Sequence, residues 1–143
     1  MSRVFIDVNI AMYAGGTAHP LREPSQRIVM AVATDRLDAV TDAEVFQELL
    51  YRYLHLRQRE KGFLIFDAFY GIMHGRVLSI ADTDIQRART LAEQYPNLSP
   101  RDLLHLSVML DHGITEILTA DTDFDAVQEV HRLDLIQFAA TIP

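Results

Sequence analysis

Apolar residues along the chain fall into two spacings, short uninterrupted runs and helical stripes, and the two alternate. Val4 to Ile6 is a β-branched and aromatic run ending at Asp7, and Asp38 to Thr41 holds a weaker one around Ala39 and Val40. Both are the length of buried strands. Between them Pro24 opens a segment in which Ile28, Val29, Val32 and Ala33 repeat at helical spacing, leaving Gly15 to Glu23 as a connecting loop, the stretch expected to be most mobile. Thr41-Asp42-Ala43-Glu44 has the form of a capping box, and Val45, Leu49, Tyr53 and Leu56 continue a helical stripe toward Arg59. Gly62 is expected to interrupt it, with Phe63 to Met73 folding back as a second helix of a hairpin.

The alternation continues to the end. Val77 to Ile80 reads as a strand, and Asp82 as the cap of a helix through Ile85, Ala88, Leu91 and Ala92 that closes at Tyr95-Pro96-Asn97. Ser99-Pro100-Arg101-Asp102 is a strong helix start, with Ser at the cap, Pro in the first turn and an acid three residues after the cap. Gly113 ends that helix, Ile117 to Thr119 is expected as a strand, Asp123 to Val130 as a short helix, and Leu135 to Phe138 as a last strand. Strands alternating with helices predict an α/β fold, a central parallel sheet flanked by helices, because parallel neighbours require crossovers. No linker, repeat or low-complexity segment divides residues 1–143, so a single domain is expected.

Composition narrows the chemistry. With 49% apolar and 23% charged residues the chain can build an ordinary core, and with no cysteine it has no disulfides, thiolate metal sites or cysteine nucleophile. Any metal must be held by oxygen or imidazole. No apolar run approaches a membrane span and the first residues lack the features of a secretion signal, so a cytoplasmic location is expected. The net charge of −7, from 20 acids against 13 bases, argues against a simple nucleic-acid clamp and makes the acids the first thing to explain.

In an open parallel sheet, ligands bind beyond the carboxyl ends of the strands. Asp7 follows the first strand and Asp121 the Ile117 strand, while Asp102 lies in the first turn of a helix that must begin at the same edge. The helix after Thr41 starts there too and carries Glu44 and Glu48 on one face. Glu44 has a capping role to fill; Glu48 has none, and is the better functional candidate. Singly, each acid has an ordinary explanation as a cap or turn residue. Together, Asp7, Glu48, Asp102 and Asp121 would repel by roughly a few kcal/mol per close pair unless protonated or bridged by cations. All-oxygen ligation suits a hard ion, Mg²⁺ or Mn²⁺. These four acids account for four of the seven excess negative charges, so an occupied site leaves −3 and no longer excludes a phosphate-rich partner.

Four ordered motifs carry a resemblance: Phe5-Ile6-Asp7-Val8-Asn9, Glu48-Leu49-Leu50, Asp102-Leu103-Leu104-His105-Leu106, and Leu118-Thr119-Ala120-Asp121-Thr122-Asp123-Phe124. In order and spacing they resemble the PIN domain family, and within it the VapC-type toxins of toxin-antitoxin pairs. The resemblance spans nearly the whole chain. It implies a three-layer α/β/α fold and a metal-dependent endoribonuclease that hydrolyses RNA phosphodiester bonds, with Asp7, Glu48, Asp102 and Asp121 as catalytic and metal-binding acids for Mg²⁺ or Mn²⁺. It also implies Asn9, Thr119 and Asp123 as supporting residues, a homodimer, and a small antitoxin protein as partner along the Phe46 to Met73 region. Val8 stands where Thr or Ser is common, and Leu103 and Ser107 replace frequent alanines; none of these removes a carboxylate.

His105 reads as a helix residue packed near the site, and the other five histidines show no ligand spacing. Arg52, Arg57, Arg59 and Lys61 form a basic stretch that is either a solvated helix face or a guide for RNA phosphate. Two rival functions follow from the same residues. A catalytically silent PIN-fold module for RNA or protein binding would not need the full acid set. A haloacid dehalogenase-like phosphatase would use Asp7 as nucleophile, but it needs an acid where Asn9 stands and a late lysine, and Lys61 is the only lysine.

Overall fold

A computed structural model describes residues 2–143. The strands are β1 (Val4–Ile6), β2 (Ala39–Asp42), β3 (Val77–Leu78), β4 (Glu116–Leu118) and β5 (His131–Leu133), and they form one sheet in the order β3-β2-β1-β4-β5. All four pairings are parallel, as the alternation predicted, with Ile6 opposite Leu118 in β4 and Val4 opposite Ala39 in β2. The helices are α1 (Val8–Ala14), α2 (Arg22–Ala33), α3 (Ala43–His55), α4 (Arg59–Met73), α5 (Asp82–Gln94), α6 (Pro100–Asp111) and α7 (Leu135–Ala140), with a 3₁₀ turn at Thr122–Ala126.

The order of the strands dictates the layers. The chain steps outward from β1 to β2 to β3, so right-handed crossovers lay α1 to α4 on one face; it then returns past β1 to β4 and β5, which lays α5 and α6 on the other. The observed packing agrees, with α5 against α6 and α2 against α1, α4 and α7. The sheet between them is a continuous apolar layer, since Phe5, Ile6, Ile117 and Leu118 are fully buried beneath Ile10, Ile28, Leu49, Leu106 and Met109. The order in which strands are added reverses between β1 and β4, although both run parallel. Both strands end at the same edge, and that switch point is where an open sheet has its crevice.

Several elements depart from the sequence expectation, each for a local reason. Residues 8–14 form α1, which starts directly after β1 because the Asp7 carboxylate accepts the Val8 N–H and Val8, Ile10 and Ala11 supply a buried face. Helix α2 begins at Arg22, not Pro24, so Pro24 lies inside its first turn, where a missing N–H costs nothing. The long helical stripe breaks at Leu56–Gln58, where Arg57 takes a left-handed backbone (φ 57°), and not at Gly62. Gly62 instead sits within α4 where a Cβ would come within 2.3 Å of Tyr53 Cβ; its role is to let the two helices of the hairpin touch.

The cap of α3 is Asp42 rather than Thr41: its Oδ1 accepts from Val45 N at 3.1 Å, while Thr41 Oγ1 donates to Ile6 O across the sheet at 2.8 Å. Helix α5 is capped at Ala81, whose N–H is held by Asp84, so Asp82 is its first helical residue. The expected helix from Asp123 to Val130 is only the short 3₁₀ turn. The expected strand Leu135 to Phe138 is helix α7, begun by the Asp134 carboxylate on Gln137 N; the strand precedes it, at His131–Leu133. Leu135 and Ala139, four residues apart, are its buried face, a helical spacing that four residues of apolar run did not reveal.

Candidate active site

The switch point collects the acids from separate elements. Asp7 caps α1 at the end of β1, Asp121 follows β4 and caps the 3₁₀ turn through Asp123 N (2.9 Å), and Asp102 stands in the first turn of α6, whose Ser99 Oγ caps Asp102 N at 3.2 Å. Oxygens of Asp102, Asp121 and Asp123 all lie within 4.8 Å of one another, graded from buried Asp102 to exposed Asp123. A set of carboxylates this close, open to solvent on one side, fits a hard divalent cation with water filling the rest of its shell.

Thr119 ties Asp7 to that group. Its hydroxyl donates to Asp7 Oδ2 (2.8 Å) and accepts from Asn9 Nδ2 (2.8 Å) and from Asp121 N (3.0 Å), and Asn9 Oδ1 in turn accepts from Ala120 N (3.2 Å). Thr119 is fully buried, so these bonds hold Asp7 and the Asp121 backbone in one rigid frame. Asn9 is thereby committed to structure and holds no proton to give, and Lys61 lies in the first turn of α4, so the two groups a phosphatase of the rival type needs are not present at this edge.

Beneath the acids lies a buried histidine. His105, one turn along α6 from Asp102, brings Nδ1 to 2.7 Å from Asp42 Oδ2, and both side chains are wholly buried. Its other nitrogen, Nε2, faces Asp7 Oδ1 at 3.7 Å and Glu48 Oε1 at 4.0 Å, and among the described residues it has no hydrogen-bond partner. Glu48 therefore belongs to this edge, turned toward His105, whereas Glu44 faces Arg101 at 3.9 Å. Neither Glu48 nor Asp7 is part of the close oxygen triad of Asp102, Asp121 and Asp123.

The electrostatics follow from crowding. Burial pushes the Asp7 carboxyl up, against the lowering influence of His105, Thr119 and the Val8 N–H. Asp102 is pushed up to about 7, first by burial, then by the charge of Asp7 and by its neighbour Asp121. For His105 burial is the largest influence and opposes protonation, but the bond and charge of Asp42 together with Glu48 and Asp7 outweigh it and raise its pKa well above the usual value.

The structure thus places Asp7, Glu48, Asp102, Asp121, Asn9, Thr119 and Asp123 at one edge, with only Asp102, Asp121 and Asp123 in the close group. The Asp42–His105 pair was not anticipated. Asp42 obeys the same rule that picked out Asp7 and Asp121, an acid at the carboxyl end of a strand, but it stands inside a segment read as a capping box begun by Thr41.

The chain matches the family model described as PIN domain over residues 4–130. It is 38% identical over 130 residues to Ribonuclease VapC13 of Mycobacterium tuberculosis, covering 91% of this chain and 98% of that protein. It is 33% identical over 120 residues to Ribonuclease VapC23 of the same species, covering 82% and 92%. Its fold is similar to the crystal structure of VapBC2 from Rickettsia felis bound to a DNA fragment from their promoter, with a TM-score of 0.71 and 18% identity over 92% of this chain and 98% of that one. The chain belongs to the PIN domain family and, within it, to the VapC ribonucleases.

Proposed function

We propose that Asp7, Glu48, Asp102 and Asp121 form a divalent-metal site, for Mg²⁺ or Mn²⁺, at which this VapC ribonuclease cleaves RNA endonucleolytically, and that it is the toxin of a toxin-antitoxin pair in the cytoplasm. The observation that carries the reading is the convergence of Asp102, Asp121 and Asp123 within 4.8 Å, joined through Thr119 to Asp7 at the switch point of the sheet. Carboxylates this close repel one another without a cation, and the raised proton affinity of Asp102 beside Asp7 and Asp121 is the ion-free remedy.

Asp102 and Asp121 would hold the ion together with Asp7 and Glu48, with Asp123 supporting from the exposed side. When bound, a divalent cation supplies charge stabilisation for the phosphodiester oxygens and acidifies an attacking water. The chain does the rest. Thr119 and Asn9 fix the Asp7 carboxylate so that no reorganisation is needed when phosphate arrives. Asp102, with a proton affinity near neutrality, is suited to exchange a proton with water at its carboxylate oxygen at working pH.

Partners are read from the surface. Along the α3–α4 hairpin Tyr51, Leu54, Leu56, Phe63, Leu64 and Tyr70 are exposed, with Leu64 73% accessible, more apolar side chain than a lone monomer normally shows on one hairpin. This supports a homodimer and a small antitoxin protein covering the region. Among the described residues no helix is long and apolar enough to cross a membrane.

One experiment tests the chemistry. The purified protein is incubated with structured RNAs with Mg²⁺, with Mn²⁺, or with a chelator, alongside Asp7→Asn and Asp102→Asn. Metal-dependent cleavage lost in both variants, with their melting profiles intact, is the expected result; full activity in either variant overturns the site assignment, and metal-independent RNA binding without cleavage makes the protein a silent module.

A further inference from the structure

The carboxylates at the sheet edge come from β1, α3, α6 and the turn after β4, and nothing in the metal-site reading explains what fixes the α3 acid relative to the β1 acid. The Asp42–His105 pair is placed to do so. Asp42 uses one oxygen to cap α3 and the other to hold His105 Nδ1, so the start of α3 and the inner face of α6 are tied through one buried carboxylate. The Phe5 ring, 5.3 Å away and tilted 47°, closes the space beside the imidazole. With Nδ1 tethered and one face blocked, the ring has a single orientation, and Nε2 is aimed between Asp7 Oδ1 and Glu48 Oε1.

Those two distances, 3.7 and 4.0 Å, are too long for hydrogen bonds, and the atom is buried without a partner. A fully buried polar nitrogen left open costs free energy, and here it is left open toward two functional acids. A purely structural histidine would be satisfied at both ends by the core. Carboxylate ligands of metal sites are themselves oriented by outer residues, and His105, held by a carboxylate on one nitrogen, presents the other to two such acids.

We propose that His105, clamped by Asp42, is a positioning residue for the metal site: its Nε2 sets the spacing of Asp7 and Glu48, drawing the α3 carboxylate into line with the acids of β1 and α6. The proposal rests on the metal-site reading above. It assigns a role to two residues outside the acid set, and makes the position of Glu48 depend on Asp42, which touches neither ion nor substrate.

The test uses the full chain with His105→Gln and Asp42→Asn, the latter retaining an oxygen for the α3 cap, and Asp102→Asn as the control for the site itself. Mg²⁺ and Mn²⁺ binding is measured by calorimetry without RNA, cleavage is resolved into kcat and KM, and folding is followed by thermal melts. In folded His105→Gln, metal affinity and kcat are expected to fall about 10- to 100-fold, with KM for RNA little changed. Asp42→Asn is expected to show a smaller loss of the same kind. Wild-type metal affinity and kcat in folded His105→Gln overturn the proposal, while an active Asp102→Asn overturns the metal-site reading instead. Should His105→Gln fail to fold, ¹⁵N-histidine spectra of the wild type and of Glu48→Gln decide. A His105 Nε2 resonance that moves on Mg²⁺ addition and in Glu48→Gln supports the role, and one that moves in neither overturns it.

Discussion

Replacing Thr119 with valine deletes one hydroxyl and keeps the shape of a fully buried side chain, so its cost isolates the hydrogen-bond frame beneath the site. Three bonds go at once: the donation to Asp7 Oδ2, the acceptance from Asn9 Nδ2 and the acceptance from Asp121 N. No cavity is created, so packing loss is small. At about 1 kcal/mol net for each bond, the variant should lose about 3 kcal/mol. For a domain of this size roughly 4 °C accompanies each kcal/mol, so the melting midpoint should fall by roughly 12 °C. The Asp7 carboxylate also loses its anchor, and cleavage should fall about 10- to 100-fold, the range expected when a residue supporting a site ligand is removed. Thr119→Ser, which keeps the hydroxyl and loses a methyl, should retain most of both properties. Thermal melts by circular dichroism in metal-free buffer, with cleavage of a labelled RNA, provide the two readouts. A valine variant that melts within about 4 °C of wild type and cleaves normally, or a serine variant as damaged as the valine one, would refute the frame.

Other outcomes follow from the same geometry. Asp7→Asn and Asp102→Asn should each reduce cleavage by ~100-fold or more with the fold retained, and Asp102→Asn should melt at or above the wild-type temperature in metal-free buffer because it relieves repulsion among the acids. The folded state binds the Asp102 proton more tightly than the unfolded chain does, its carboxyl being raised to about 7. Its contribution to the stability of the ion-free protein is therefore full below the ordinary aspartate range and lost as pH rises through about 7. Urea unfolding at pH 5 and pH 8 should show that fall, Asp102→Asn should flatten it, and Mg²⁺ should oppose it at pH 8; a slope unchanged in Asp102→Asn assigns it elsewhere. Gly62→Ala forces a Cβ against Tyr53 Cβ at 2.3 Å, so overpacking of about 1–3 kcal/mol should outweigh the gain in helix propensity. A melting temperature equal to or above wild type would show that the α3–α4 hairpin tolerates separation.

Much of this arrangement was legible in the residues, and the exceptions have local or packing causes. Val4 to Ile6, Ala39 to Thr41 and Ile117 to Leu118 are read as strands because buried parallel strands are unbroken apolar runs, and the acids that follow them inherit a known edge. Asp102 is placed by its helix start, where Ser99 and Pro100 leave little choice. Two elements were missed where a short, partly apolar run fits either period: residues 8–14 carried no expectation, and Leu135 to Phe138 read as a strand. Residues 8–14 and 135–140 are helices because a side-chain oxygen, from Asp7 and from Asp134, caps them at the right moment. The break between α3 and α4 falls at Arg57, which adopts a left-handed backbone without glycine, and no residue preference announces that. Asp42 and His105 lie 63 positions apart and meet only once α6 is laid on the sheet. Pairing of that kind is a property of packing, and single-residue patterns carry no trace of it.

The register of β1 beside β4 has a consequence for how the protein is made. Asp7 and the Thr119 hydroxyl that holds it are 112 positions apart, and the Asp7 N–H itself is bonded to Leu118 O. Every pairing in the sheet is parallel, and all but β4 with β5 join segments distant along the chain, a topology that closes slowly. The first hundred residues include Asp7 but not Thr119, the residue that holds it. On the proposed site, then, a chain stopped before β4 lacks both Thr119 and Asp121 and is expected not to cleave RNA.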